Sequence, residues 1–246
     1  MSLTVYPVVP SRMVIDLGRM TYMRNYGESR WLPCPFFIIK GGEEVVMVDT
    51  SAPASIMSKL RTEPVEDVMS FEEGLAHVGL KPGDISRVVL THLMYDHCAN
   101  GYKLPNAKFY VQAEELGYAR NPHPLFAGAY HQELFEGLNF EIVHGDFDLR
   151  PGIRLIHTPG HSPGCQSVDV KTAAGTVVIV GFCCIKDNFE TTGGSAWHSV
   201  HQPEVIPPGI HMDFQKAYES AIKVKNLADI ILPIHDPSLL SIEHVP

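Results

Sequence analysis

The chain has no basic tract. Its 19 lysines and arginines nowhere cluster in groups of five or more, and 28 acidic residues leave a formal net charge of −9. A surface of that sign points away from nucleic acid and from anionic membrane as partners. No apolar run approaches the roughly 18 residues that would span a bilayer. Met1 to Pro7 lacks a charged segment followed by an apolar one, so no secretory signal is expected. The five cysteines, Cys34, Cys98, Cys165, Cys183 and Cys184, are odd in number and contain no Cys-x-x-Cys pair. That excludes a disulfide framework and a thiolate zinc knuckle, and cytoplasmic residence is the expectation. Low-complexity tracts and solenoid-length repeats are missing as well.

What is present is ordinary globular composition, 45% hydrophobic and 19% charged over 246 residues, enough for one large core. Phe36 to Lys40 and Val45 to Asp49 are β-rich runs joined by Gly41-Gly42-Glu43-Glu44, a hairpin pattern. The first 60 residues as a whole suggest strands and turns. Val65 to Val78 predicts a helix with Val68, Phe71, Leu75 and Val78 on one face, stopped by Gly79. Short buried strands are expected at Ser86 to Thr91, Lys108 to Val111, Phe140 to Val143, Ile153 to His157, Gln166 to Val170, Val177 to Val180 and Asp229 to Leu232. A short helix follows Gln112, an inserted loop or helix spans Asn121 to Gly137, and an amphipathic helix starts near Asp213. A long loop rich in Gly, Pro and His runs from Gly181 to Gly209. Strands with helices in both halves predict an α+β sandwich, two sheets face to face with helices outside.

Histidine is abundant, with 13 residues. Three segments place histidines just beyond buried strands: Thr91-His92-Leu93-Met94-Tyr95-Asp96-His97, Thr158-Pro159-Gly160-His161-Ser162-Pro163-Gly164, and Leu232-Pro233-Ile234-His235-Asp236-Pro237. Loops on a rigid scaffold are where sites are usually assembled. Neutral imidazole and carboxylate together suit zinc and related divalent metals. The bland alternative is that each histidine is an ordinary polar loop residue. Their order and spacing across three segments weigh against it.

Those three segments resemble the metallo-β-lactamase superfamily, over nearly the whole chain. Tyr95, Lys186-Asp187-Asn188-Phe189-Glu190 and Pro207-Pro208-Gly209-Ile210-His211-Met212-Asp213 resemble its N-acyl homoserine lactonase-like branch. The resemblance implies a four-layer αββα sandwich, with residues 1–246 forming one metallo-β-lactamase-like domain. It also implies a metal centre built from His92, Asp96, His97, His161 and His235.

The chain departs from the family pattern twice. Met94 stands where the family has a second histidine, and a thioether is a weak ligand for zinc. Met94 is expected to pack against the site instead. Aligning Lys186-Asp187-Asn188 without gaps puts Gly181 where relatives carry a metal-bridging aspartate and Cys184 where they carry a tyrosine. A one-residue slip would put Phe182 at the aspartate position. Asp187 lies too far along the chain to replace it. By the resemblance, both losses fall on the first metal site, of which only His92 and His161 survive. The second keeps Asp96, His97 and His235. Three protein ligands and an open position compose a catalytic zinc site. The same two histidines and carboxylate also suit iron(II).

One divalent ion per chain is therefore expected, zinc first, with iron and manganese as alternatives. His92 and His161 would serve as further ligands or as proton-handling groups. A metal displaced toward that pair is the competing arrangement. Cys183 or Cys184 could bring a thiolate to the metal, or both could simply continue a buried strand. His198 and His201 are expected in solvent, His211 as architectural, and His77 and His244 on the surface. Tyr22, Tyr26 and Trp31 are candidates for a pocket mouth.

A bound divalent metal lowers the pKa of water from about 15.7 toward 7 and polarises a carbonyl. The expected activity is hydrolysis of a lactone or similar small ester-like compound by hydroxide made on the metal. Asp96 would be the catalytic carboxylate that orients the water. The partner is a small molecule, and a homodimer stays open. Without the aspartate and tyrosine, weak or no activity on acyl-homoserine lactones is expected. The rivals are a single-metal lyase, isomerase or redox enzyme on the same fold, and a non-catalytic binding paralogue.

Overall fold

The computed structural model describes residues 2–191 and 203–246. A long first strand, β1 (Thr4–Asp16), pairs antiparallel with β2 (Ser29–Lys40), which pairs antiparallel with β3 (Val46–Val48). The expected hairpin is therefore present. The sheet continues in parallel through β5 (Arg87–Val89), β6 (Lys108–Gln112) and β7 (Phe140–Val143), and β4 (Val65–Asp67) pairs on the outer edge of β1. The second sheet runs β12-β11-β10-β9-β8, formed by β8 (Phe147–Arg150), β9 (Ile153–His157), β10 (Gln166–Thr172), β11 (Gly175–Val180) and β12 (Ile230–Pro233).

Alternation along the strands explains the layering. Phe37 and Ile39 of β2 face the second sheet, where they meet Leu155, Val168 and Ile179 in a shared core. Their neighbours Phe36 and Ile38 face outward, against Phe71 and Leu75 of α2 (Phe71–His77) and Leu116 of α4 (Ala113–Arg120). On the other flank, Val178 and Val180 pack under Ala221 and Val224 of α5 (Phe214–Leu227). Both sheets are thus buried on both faces, giving the expected αββα sandwich. No helix among the described residues is long and apolar enough to cross a membrane.

Several local expectations need correction. The helix expected from Val65 begins only at Phe71: Val65–Asp67 is the edge strand β4, and Ser70 caps α2 in a reciprocal box with Glu73. The residues before Ser70 gain more by pairing with β1 than by extending a helix. A helix, α1 (Ala54–Leu60), lies in the stretch expected to be strands and turns, and β8 lies where no strand is expected. α1 buries mainly Met57, too little for a periodic signal. Residues 121–137 form an irregular segment with two short 3-10 turns. His198 and His201 lie outside the described residues. His77 and His244 are exposed, as expected.

Candidate metal centre

The three histidine segments meet at one edge of the sandwich. His92 follows β5, Asp96 and His97 open the short helix α3 (Tyr95–Cys98), His161 sits in the β9–β10 loop and His235 follows β12. All five side chains are largely buried, Asp96 being the most open at 9%. One ligand atom from each of Asp96, His97 and His235 lies within 4.8 Å of the others. The Asp96 Oδ2 is 3.5 Å from His97 Nε2 and 3.9 Å from His235 Nε2. Beside this triad, His92 Nε2 and His161 Nε2 face each other at 3.3 Å, and the His92 and His97 rings are 3.9 Å apart.

The outer partners fix which nitrogen points inward. His161 Nδ1–H donates to the Ile210 carbonyl at 2.8 Å, and His235 Nδ1–H to the Pro33 carbonyl at 2.9 Å. His97 Nδ1–H donates to Asp49 Oδ2 at 2.7 Å. Thr91 Oγ1 gives its proton to Asp49 Oδ2, so it accepts from His92 Nδ1–H at 3.1 Å. Carbonyls and carboxylates can only accept. Each of these imidazoles therefore turns its Nε2 inward, the arrangement that outer-shell partners impose on metal-binding histidines.

Burial and charge then act on the centre. Burial pushes His161 and His235 down to about 4. Burial, with the neighbouring His97 and His161, also holds His92 well below the usual histidine value. His97 goes the other way, up to about 10: burial opposes its charge, but Asp96 and Asp49 outweigh it. Burial alone would raise Asp96, yet His97, His235 and His92 hold it well below the usual carboxylate range. At neutral pH two unprotonated nitrogens, His92 Nε2 and His161 Nε2, face each other 3.3 Å apart with no proton between them. Two imidazoles each about 2.0–2.1 Å from a tetrahedral zinc would sit about 3.3 Å apart. The donor set fits a divalent cation.

Two buried carboxylates that sequence reasoning passed over organise this arrangement. Asp49, in a left-handed backbone conformation (φ 56°) at the end of β3, accepts from the Thr91 N–H, the Thr91 hydroxyl and His97. Glu115 of α4 accepts from the Leu93 N–H, the Tyr130 hydroxyl, the Ser162 hydroxyl and the Gly164 N–H. It thereby ties the first histidine segment to the second. Asp49 was visible as an acid ending the apolar run Val45 to Val48. Glu115 left no signal, because its neighbours on α4 look like an ordinary exposed helix.

The two departures also have structural expression. A Cβ placed on Gly181 would stand 1.8 Å from the Gln166 carbonyl oxygen and 2.8 Å from Thr91 Cβ. No side chain fits there without moving the strand. Phe182 and Cys184 turn into the layer beneath α5. Cys183 reaches the cavity, its Sγ against Met20 Sδ at 3.4 Å, and burial pushes its thiol up to about 12. It is a neutral thiol in an apolar wall. Met94 is 7% exposed and packs with the α2 and α4 layer while lining the cavity. His211 is half-buried, bonded to the Pro208 carbonyl and edge-on to Tyr22. Of the mouth candidates, Tyr22 packs on His211 and Phe214, Tyr26 is largely exposed and Trp31 stacks against Arg12; none of the three is among the residues lining the cavity over the histidines.

That cavity has a volume of about 510 Å³, with the five site residues at its floor and Tyr95, Met13, Phe126 and Arg61 among its walls. An αββα sandwich with imidazoles and a carboxylate gathered at one edge defines a class of metal-dependent proteins. Residues 29–181 match the family model of the metallo-beta-lactamase superfamily, and the chain belongs to that superfamily. It is 27% identical over 206 residues to an N-acyl homoserine lactonase of Bacillus cereus, covering 76% of this chain and 78% of that one. A probable metallo-hydrolase of Methanocaldococcus jannaschii is 29% identical over 192 residues, with coverages of 78% and 70%. A solved quorum-quenching N-acyl homoserine lactone lactonase superposes with a TM-score of 0.77 at 26% identity, over 97% of this chain and 94% of that one.

Proposed function

We propose that the protein is a metal-dependent hydrolase that opens a lactone or similar small ester, with one tightly held divalent ion, zinc first, at Asp96, His97 and His235. The observation that carries this is the convergence of these three donors within 4.8 Å at the floor of the cavity. The lactonase relatives supply the substrate class. A divalent ion in such a setting acidifies water and polarises a carbonyl.

Around it, the chain's own groups have distinct tasks. Asp49 holds His97 by Nδ1 with Nε2 turned to the cavity, and the Pro33 carbonyl does the same for His235. Asp96, ionised and lining the cavity, can accept a hydrogen bond from an entering water and so orient it. His92 and His161, unprotonated and adjacent, turn two further nitrogen donors into the same cavity. The Tyr95 hydroxyl, kept protonated by burial and the nearby Asp96, lines the wall as a hydrogen-bond donor. The overall change is addition of water across the acyl C–O bond. The water oxygen joins the carbonyl carbon, the ring oxygen leaves as alcohol, and a hydroxy acid results.

Purified protein loaded with zinc, manganese or iron(II) is expected to open members of a lactone panel, with weak turnover of acyl-homoserine lactones. Elemental analysis should return one tight equivalent per chain. No ring opening with any metal would refute the activity, and two tight equivalents would refute the single ion.

A further inference from the structure

Arg61, at the end of α1, is a charged side chain only 6% exposed that lines the same cavity as the histidines. Its guanidinium is poorly matched. Nη2 donates to the Val14 carbonyl, Nη1 lies against Met13 Sδ, a weak acceptor, and buried Nε has no hydrogen-bond partner among the described residues. The one carboxylate beside it is Glu63, 3.5 Å away and half out in solvent. Glu63 is shared with Arg19, which it meets at 3.3 Å. Two cations thus face one rim acid. Among the described residues the only other acid lining the cavity is Asp96, whose charge a divalent ion would more than cancel.

A buried guanidinium with idle donors is costly unless something accepts from them. Arginine's planar fork is suited to a carboxylate, which it can bind through two parallel N–H bonds. Besides the partly exposed Arg19, Thr62 and Tyr95, the wall around it is largely apolar: Met13, Ile15, Met20, Leu60 and Phe126.

We propose that Arg61 determines specificity by receiving a carboxylate that the substrate carries apart from the carbonyl under attack, so that the substrates are small acidic lactones or esters. This rests on the hydrolase proposal for the reaction, though not for the recognition. A neutral acyl chain would leave Arg61 unmatched. An acidic substituent supplies the Nη groups with a full-strength acceptor in place of the weak Met13 and Glu63 contacts.

The test compares 5-oxotetrahydrofuran-2-carboxylate with its primary carboxamide, in wild-type protein, R61M and R61K, each checked by thermal melting. Wild-type kcat/KM is expected to favour the acid at least about 10-fold, as for a charge-assisted pair. R61M should erase that preference and leave the amide within about threefold, and R61K should fall between, keeping charge but losing the fork. Equal losses on both substrates, or a wild-type preference for the amide, would overturn the proposal. If neither ring is opened, calorimetric binding of 2-hydroxyglutarate against its monoamide still decides. A preference lost in R61M upholds Arg61 while the hydrolase proposal falls alone. No preference overturns Arg61.

Discussion

The two halves of the centre are unequally built. Asp96, His97 and His235 bring a carboxylate and two imidazoles within 4.8 Å, with His97 and His235 each held from behind. His92 and His161 are equally buried and equally well aimed, 3.3 Å apart, but no acid joins them. Met94 and Gly181 stand where further ligands would come. Orientation is therefore conserved across both halves, while charge is concentrated in one. A carboxylate strengthens the hold on a divalent ion by offsetting its charge, which neutral imidazoles do not. The difference argues for one strong site and one weak one in the same cavity.

Removing the strong half should do most damage. D96A or H97A is expected to lose the tight metal equivalent and about three orders of magnitude in kcat/KM, read by elemental analysis and kinetics. Retained metal would make the triad structural.

Acidity should separate the halves next. His161 and His235 are held near 4 in the fold against about 6.5 unfolded. The unfolded chain therefore takes up protons that the native one refuses, and metal-free stability falls as pH drops from about 6.5 toward 4. His97, raised to about 10, contributes stability below 6.5 that is lost as pH rises through 10. Melting temperature of the metal-free protein should peak near pH 6.5, and a flat profile would refute the charge assignments.

Restoring the missing acid tests the weak half. G181D is expected to destabilise by about 3 kcal/mol rather than create a second tight site, because its Cβ would collide with the Gln166 carbonyl. Two tight equivalents in a stable G181D would show that the strand can yield. Loosening the support of His97 is a milder change. D49N should weaken metal affinity about 10- to 100-fold while metal still binds. The smallest effect is expected from H92A. It should leave affinity for the first equivalent within about threefold, if the halves are energetically separate.

Much of this was legible in the chain because it is local. The Phe36–Asp49 hairpin, the strand from Phe140 to Val143 and the helix after Asp213 follow from alternation, turns and caps spelled out in consecutive residues. The five site residues sit in segments whose order alone suggested a shared centre. What failed were boundaries set by distant partners. Val65 to Asp67 became strand because β1 offered an edge, and α1 carries too little apolar surface to announce itself.

By itself the sequence determined the donor types: three segments of His and Asp, no acid at Gly181 or Phe182, and a thioether at Met94. Only the tertiary structure decided how they are used. It turned every inward histidine to its Nε2 through Ile210, Pro33, Thr91 and Asp49, residues up to 202 positions away along the chain. It packed Gly181 against Gln166 and brought Arg61 into the cavity wall. Hydrogen bonds and steric exclusion act through space, so those outcomes exist only once the two sheets have closed on each other.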